Sequence, residues 1–78
     1  MNTRVATLKT LNICIKAQHI LEEHGYSAKI VSIDPALTRH GCAYGIEFDS
    51  KLEREIASAL KRSGIYPGEI ILGGGRLV

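Results

Sequence analysis

Aromatic side chains and net charge are both scarce in this sequence. The 78-residue chain has no tryptophan, one phenylalanine and three tyrosines, so it offers few surfaces on which nucleic-acid bases could stack. Its ten Lys and Arg residues are scattered among eight Asp and Glu residues, which leaves a net charge of +2 and no basic stripe. We therefore expect no nucleic-acid partner.

Long apolar runs are also missing. The longest, such as Ile70-Ile71-Leu72, fall far short of the roughly 20 residues that cross a bilayer, and residues 1–4 lead into no hydrophobic signal core. We expect a cytoplasmic protein without a membrane partner, in which both cysteines are reduced thiols. A domain this small buries only about 60% of its unfolded surface, so a deep catalytic cavity is not expected.

The remaining composition is that of an ordinary globular domain, with 45% hydrophobic residues. Four segments are β-branched or alternate apolar and polar residues, which is typical of strands. They are residues 4–8, 28–33, 43–48 and 69–72. In the third, Tyr44, Ile46 and Phe48 form one bulky face.

Two segments have apolar residues at helical spacing. The first runs from a Thr10 N-cap to residue 24 and stops at Gly25. The second begins at Ser50, which together with Glu53 matches the capping-box pattern, and stops at Gly64.

The order β-α-β-β-α-β, with right-handed crossovers, predicts an α+β ferredoxin-like sandwich. In this fold a four-stranded antiparallel sheet carries two helices on one face. We expect a single domain over residues 1–72 and a flexible Gly-rich tail over residues 73–78. Because the first two strands run in the same direction, the loop over residues 36–42 should lie near the N-terminus of the first helix.

The two cysteines differ in their surroundings. Cys14 lies on the apolar stripe of the first helix, where a thiol packs as a small hydrophobic group. Cys42 ends a loop that contains Arg39, His40 and Gly41. Arg39, a protonated His40 and a nearby helix N-terminus would each favour a thiolate, which is the nucleophilic form, although Cys42 could equally be a small residue that starts a strand.

The residues around Cys42 carry a resemblance to a known family. The stretch from Arg39 to Ile46 (RHGCAYGI), preceded by Ile33-Asp34-Pro35 and by the segments TLKT at residues 7–10 and KAQHIL at residues 16–21, resembles the selenium/sulfur carrier protein-like family of small bacterial domains. The resemblance spans nearly the whole chain. Ala43 replaces the glycine that commonly follows the cysteine in that family.

The resemblance implies that Cys42 holds sulfur or selenium as a persulfide or selenosulfide. Arg39 and His40 would stabilise the thiolate, and Gly41 would let a partner approach. Tyr44 would either line the site or simply pack on the strand face. The implied protein is a carrier rather than a turnover enzyme, needs no cofactor, and exchanges the atom with donor and acceptor proteins. No residue pattern separates sulfur from selenium.

Other functions compete with this interpretation. A ferredoxin-like regulatory or interaction module without covalent chemistry is the main alternative, and Leu11 and Ile15, on the outer face of the first helix, could then form a partner or homodimer patch. A redox protein with a Cys14–Cys42 disulfide would require Cys14 to leave its helix face, which we do not expect.

Two further sites are less well supported by the sequence. Cys42, His40 and a third ligand have no recognisable zinc spacing, so no metal is predicted. A thiocarboxylate on the glycines at 73–75 would first need removal of residues 76–78.

Overall fold

The computed structural model describes residues 2–34, 36, 38, 39 and 41–73 of the chain. The strands are β1 (Thr3–Leu8), β2 (Lys29–Ser32), β3 (Tyr44–Asp49) and β4 (Ile70–Leu72), and the helices are α1 (Leu11–Glu23) and α2 (Glu53–Arg62). The strands form one sheet in the order β2-β3-β1-β4, and every neighbouring pair is antiparallel. The ferredoxin-like α+β fold predicted from the sequence is confirmed.

Local signals place both ends of α1. The Thr10 side chain accepts a hydrogen bond from the Ile13 N–H at 3.2 Å and so caps one of the unpaired amides of the first turn. After the helix, Gly25 adopts a φ of +83°, the left-handed conformation that ends helices at little cost for glycine. The predicted cap and stop of this helix are confirmed.

The start of α2 differs from the prediction. Asp49, not Ser50, provides the cap, because its carboxylate accepts from the Lys51 N–H at 2.9 Å. That bond begins a single 3-10 turn over Ser50–Leu52, and the α-helix follows only at Glu53. The capping-box prediction is wrong because Asp49, the last residue of β3, accepts the hydrogen bond at the start of this turn in place of Ser50.

The core lies between the sheet and the two helices. Alternate residues of β1 and β3, together with one face of each helix, form a single buried cluster. Its strand and helix members include Ala6, Leu8, Ile46, Phe48, Cys14, Ala17, Leu21, Ile56, Ala59 and Leu60. Both helices therefore cover the same face, as predicted.

The other face of the sheet carries no helix, yet its centre is shielded. Val5 and Thr7 lie in the middle strand and are 0% exposed. A Cβ atom on Gly45 of the neighbouring strand would come within 2.6 Å of Val5 Cγ1 and 2.8 Å of Ile33 Cδ1. The missing side chain at Gly45 thus lets Ile33 pack close to Val5.

The last described residue continues the sheet. Gly73 donates its N–H to the Thr3 carbonyl oxygen at 3.0 Å, one residue beyond β4. Residues 74–78 lie outside the described residues, so the flexible tail stays a prediction. Within the described part of the chain, neither helix has the length and apolar character that spanning a membrane requires.

Candidate functional site

The candidate site is the connection from β2 to β3, at the sheet end where β1 gives way to α1. Tyr44, the first residue of β3, pairs with Leu8 on one side and Ser32 on the other. Beyond these pairs, Ile33 donates its N–H to the Ala43 carbonyl oxygen at 2.8 Å. The base of the loop is therefore held closed beside the start of α1, as the topology predicted.

A side-chain clamp closes the loop around Cys42. The Cys42 N–H donates to Thr38 Oγ1 at 2.8 Å, and the same hydroxyl lies 3.5 Å from the Cys42 carbonyl oxygen, to which it donates. Between them, Gly41 adopts a φ of +67°, which side-chain-bearing residues rarely adopt. The turn leaves Cys42 only 6% exposed.

The tip of the loop is braced against the other side of the sheet. Arg39 donates its backbone N–H to Glu69 Oε1 at 3.1 Å, and Glu69 directly precedes β4. The connection therefore extends from the β2 edge of the sheet to the β4 edge. Between the described residues Arg39 and Glu69 there is no ion pair, so the Glu69 carboxylate holds the Arg39 backbone and not its guanidinium.

Thr7 fixes the position of Glu69. The Thr7 hydroxyl donates to the Glu69 carbonyl oxygen at 3.1 Å and accepts from the Glu69 N–H at 2.9 Å, while the Thr7 N–H also donates to that carbonyl oxygen at 2.9 Å. A fourth bond runs from the Gly68 N–H to the Thr7 carbonyl oxygen. These bonds satisfy a fully buried threonine and anchor the carboxylate that braces the loop.

The second cysteine lies close enough to Cys42 to be affected by its charge. Cys14 is 0% exposed, and both cysteines are free thiols. Burial raises the pKa of Cys14 to about 11, and negative charge on Cys42 adds to this increase. At neutral pH Cys14 is therefore a protonated thiol beside the loop.

Comparison with known families identifies the family of the chain. Residues 3–72 match the model of the family described as "Putative Se/S carrier protein-like". The chain belongs to this Se/S carrier protein-like family. No curated protein and no solved structure matches it.

In this Se/S carrier-like chain the predicted site residues are placed as follows. Cys42 is buried under the closed turn, and Arg39 and Gly41 are exposed next to it in the chain. Tyr44 is partly buried and packs against the core cluster, which favours packing on the strand face over lining the site. His40 lies outside the described residues, and its role stays a prediction.

The sequence analysis missed three residues that shape the site, namely Thr7, Thr38 and Glu69, and it expected Cys14 only to pack on its helix face. Only Thr38 had a local signal in the sequence, because a threonine side chain can form a hydrogen bond with the backbone of a residue a few positions away in a turn. Thr7 and Glu69 act across the sheet, and Cys14 acts between a helix and a loop, which sequence spacing does not show.

No metal centre was predicted from the sequence. Among residues 2–34, 36, 38, 39 and 41–73, no three His, Cys, Asp or Glu side chains come together in a way that could hold a metal ion. The zinc site that the sequence analysis considered and did not predict included His40, which lies outside these residues.

Proposed function

We propose that this protein carries sulfur or selenium on Cys42 and passes it to a partner protein. The observation that carries the proposal is a free cysteine held in a closed, braced turn, in a chain that matches a Se/S carrier protein-like family over residues 3–72. It acts as a carrier rather than as a turnover enzyme, and its donor and acceptor are other proteins.

The chemistry is thiol exchange. The Cys42 thiolate attacks the outer sulfur of a donor persulfide, the sulfur–sulfur bond of the donor breaks, and the donor cysteine leaves as a thiolate. Cys42 then holds the atom as Cys–S–SH, or as Cys–S–SeH when the donor carries selenium. An acceptor thiolate removes the atom by the same attack, and Cys42 returns to a thiol.

The closed turn suits a protein that must keep such an atom. With Cys42 only 6% exposed, little solvent or oxidant reaches its sulfur, and we expect the turn to open when a partner docks. The turn also leaves room for docking, because a Cβ placed on Gly41 would meet no atom within 4 Å. Arg39, which is exposed three residues before Cys42, and His40 are proposed to donate hydrogen bonds to the carried persulfide.

Intact mass under anaerobic conditions tests the proposal. Wild type, Cys14→Ser and Cys42→Ser are exposed to a persulfide donor and, separately, to selenide with an oxidant. We expect an adduct that reducing agents remove in wild type and Cys14→Ser, and none in Cys42→Ser. Equal labelling of all three proteins, or no adduct at all, would refute the carrier function of Cys42.

A second candidate function is a ferredoxin-like interaction module without covalent chemistry. The specific observation in its favour is the pair Leu11 and Ile15, which lie one turn apart on α1 and are 43% and 41% exposed. If this patch joins two copies, Ile15→Lys shifts a dimer to monomer in sedimentation velocity. A wild-type monomer at all concentrations would exclude the homodimer.

A further inference from the structure

The proposed mechanism uses Cys42 and leaves the second thiol without a role. Cys14 lies in the second turn of α1, on the side of the helix that packs against the sheet. Helix side chains tilt toward the helix N-terminus, so its sulfur points toward the sheet end where the loop lies. Cys14 therefore lies on the core side of α1 and faces the end of the sheet that carries the Cys42 loop.

Cys42 approaches the same place from the loop. The backbone is already paired at Ala43, and side chains alternate along an extended strand, so Cys42 shares the side of Tyr44 and Ile46. Those two residues belong to the helix-facing core or pack against it. Cys42 itself is buried. Both thiols thus lie on the helix side of the sheet, at the same end.

The electrostatics agree with this arrangement. A negative charge on Cys42 is one of the two causes that raise the pKa of Cys14, and burial is the larger one. This effect is consistent with two thiols that lie at the same end of the sheet and on its helix side. Neither thiol forms a disulfide in the structure.

We propose that Cys14 is the resolving thiol of the carrier, which releases the atom held on Cys42 as hydrogen sulfide or hydrogen selenide. The inference rests on the proposed carrier function of Cys42 and adds the form in which the atom leaves. The consumer is then a reaction that takes free sulfide or selenide, rather than one that must accept a protein-bound persulfide.

The step balances without an outside oxidant. The Cys14 sulfur attacks the Cys42 sulfur of Cys42–S–SeH, a Cys14–Cys42 disulfide forms, and the sulfur–selenium bond breaks. Selenium takes the electron pair of that bond and the Cys14 proton, and leaves as hydrogen selenide. The carried atom is reduced and the two thiols are oxidised. A low-molecular-weight thiol such as glutathione then reduces the disulfide and restores the pair.

The structure also indicates what limits this step. Cys14 keeps its proton at neutral pH because its environment is buried, which protects the loaded carrier from immediate discharge. Cys14 is 0% exposed in the helix-facing core, whereas Cys42 lies in a turn that the Thr38 hydroxyl closes, so we expect the turn and not the helix to move when the two sulfurs meet.

The test follows discharge of the loaded protein in the absence of any acceptor. Wild type and Cys14→Ala are loaded anaerobically with inorganic polysulfide and desalted, and the released sulfide is trapped with bromobimane while intact mass is recorded. Cys42→Ser is the loading control. We expect wild type to release sulfide at least about tenfold faster than Cys14→Ala, since an internal thiol acts at high effective concentration.

The mass of the discharged wild-type protein decides the mechanism without any variant. A product two hydrogen atoms lighter than the reduced protein, with a Cys14–Cys42 link in its peptide map, supports the proposal. A loaded protein that stays loaded, or that discharges to the free dithiol, overturns it and leaves the carrier function standing. If wild type does not load on Cys42, the carrier function and this inference both fail.

Discussion

Removing the Thr38 hydroxyl should expose Cys42 to reagents. In Thr38→Val the side chain keeps its shape, but the Cys42 N–H loses the acceptor that lies 2.8 Å away. A hydrogen bond of this kind contributes about 1 kcal/mol, which corresponds to roughly a fivefold change in the population of the open turn. Because Cys42 is 6% exposed when the turn is closed, its labelling rate should follow that population and rise about fivefold.

The assay is the rate of iodoacetamide labelling, with the labelled peptide identified by mass spectrometry. Thr38→Ser is the matched control, since it keeps the hydroxyl and should label at close to the wild-type rate. Urea unfolding of each variant separates local opening from loss of the whole fold. If Thr38→Val remains folded and labels Cys42 at the wild-type rate, the hydroxyl does not hold the turn closed.

Three further predictions concern the framework of the site. Gly45→Ala should lower the free energy of unfolding by about 1–3 kcal/mol in urea titrations, because its new Cβ would lie 2.8 Å from the Ala6 carbonyl oxygen; an unchanged midpoint would contradict the described packing. Thr7→Val leaves the Glu69 N–H without its acceptor and should lower the free energy of unfolding by about 1–3 kcal/mol. Cys42 should also react faster with iodoacetamide, and an unchanged labelling rate would show that Thr7 does not help to hold the loop closed. The raised Cys14 pKa predicts that stability falls as pH rises above about 9.0, where the unfolded thiol ionises, and levels off near pH 11; Cys14→Ala should remove this decline in thermal melts, and an identical decline would refute it.

Much of the fold could be predicted because its signals are local. Thr10 marks the start of α1 through a hydrogen bond from an amide three residues later, and Gly25 marks its end through its own backbone angle φ. The alternation of Tyr44, Ile46 and Phe48 likewise indicates which side of β3 faces the helices. Helix caps, glycine stops and strand alternation depend on neighbouring residues, so a single sequence is enough to identify them.

The start of α2 shows the limit of such local rules. Ser50 and Glu53 match a capping pattern, but Asp49 stands one residue earlier with a longer acceptor group and caps the turn itself. When two adjacent residues can both cap a helix, the direction in which the preceding strand ends decides which of them caps it. That direction is a property of the sheet and not of the local sequence.

The site was predictable only as the position of one cysteine. The sequence placed Cys42 in a loop near the start of α1, but gave no reason to connect Thr7 with Glu69 or Arg39 with Glu69. The bonds of Thr7 to Glu69 join residues 62 positions apart, and their formation depends on where β4 docks. The neighbourhood of Cys14 and Cys42 likewise follows from packing a helix onto a sheet.

The brace between Arg39 and Glu69 links protection of the Cys42 thiol to synthesis of the segment that contains β4. Arg39 and Glu69 are 30 residues apart, and Glu69 is held by the first strand just before the last one pairs. A ribosome that has released the loop but not residues 66–72 therefore presents Cys42 without its brace. During synthesis we therefore expect Cys42 to be among the last groups to be shielded, because its loop is braced only after β4 has docked.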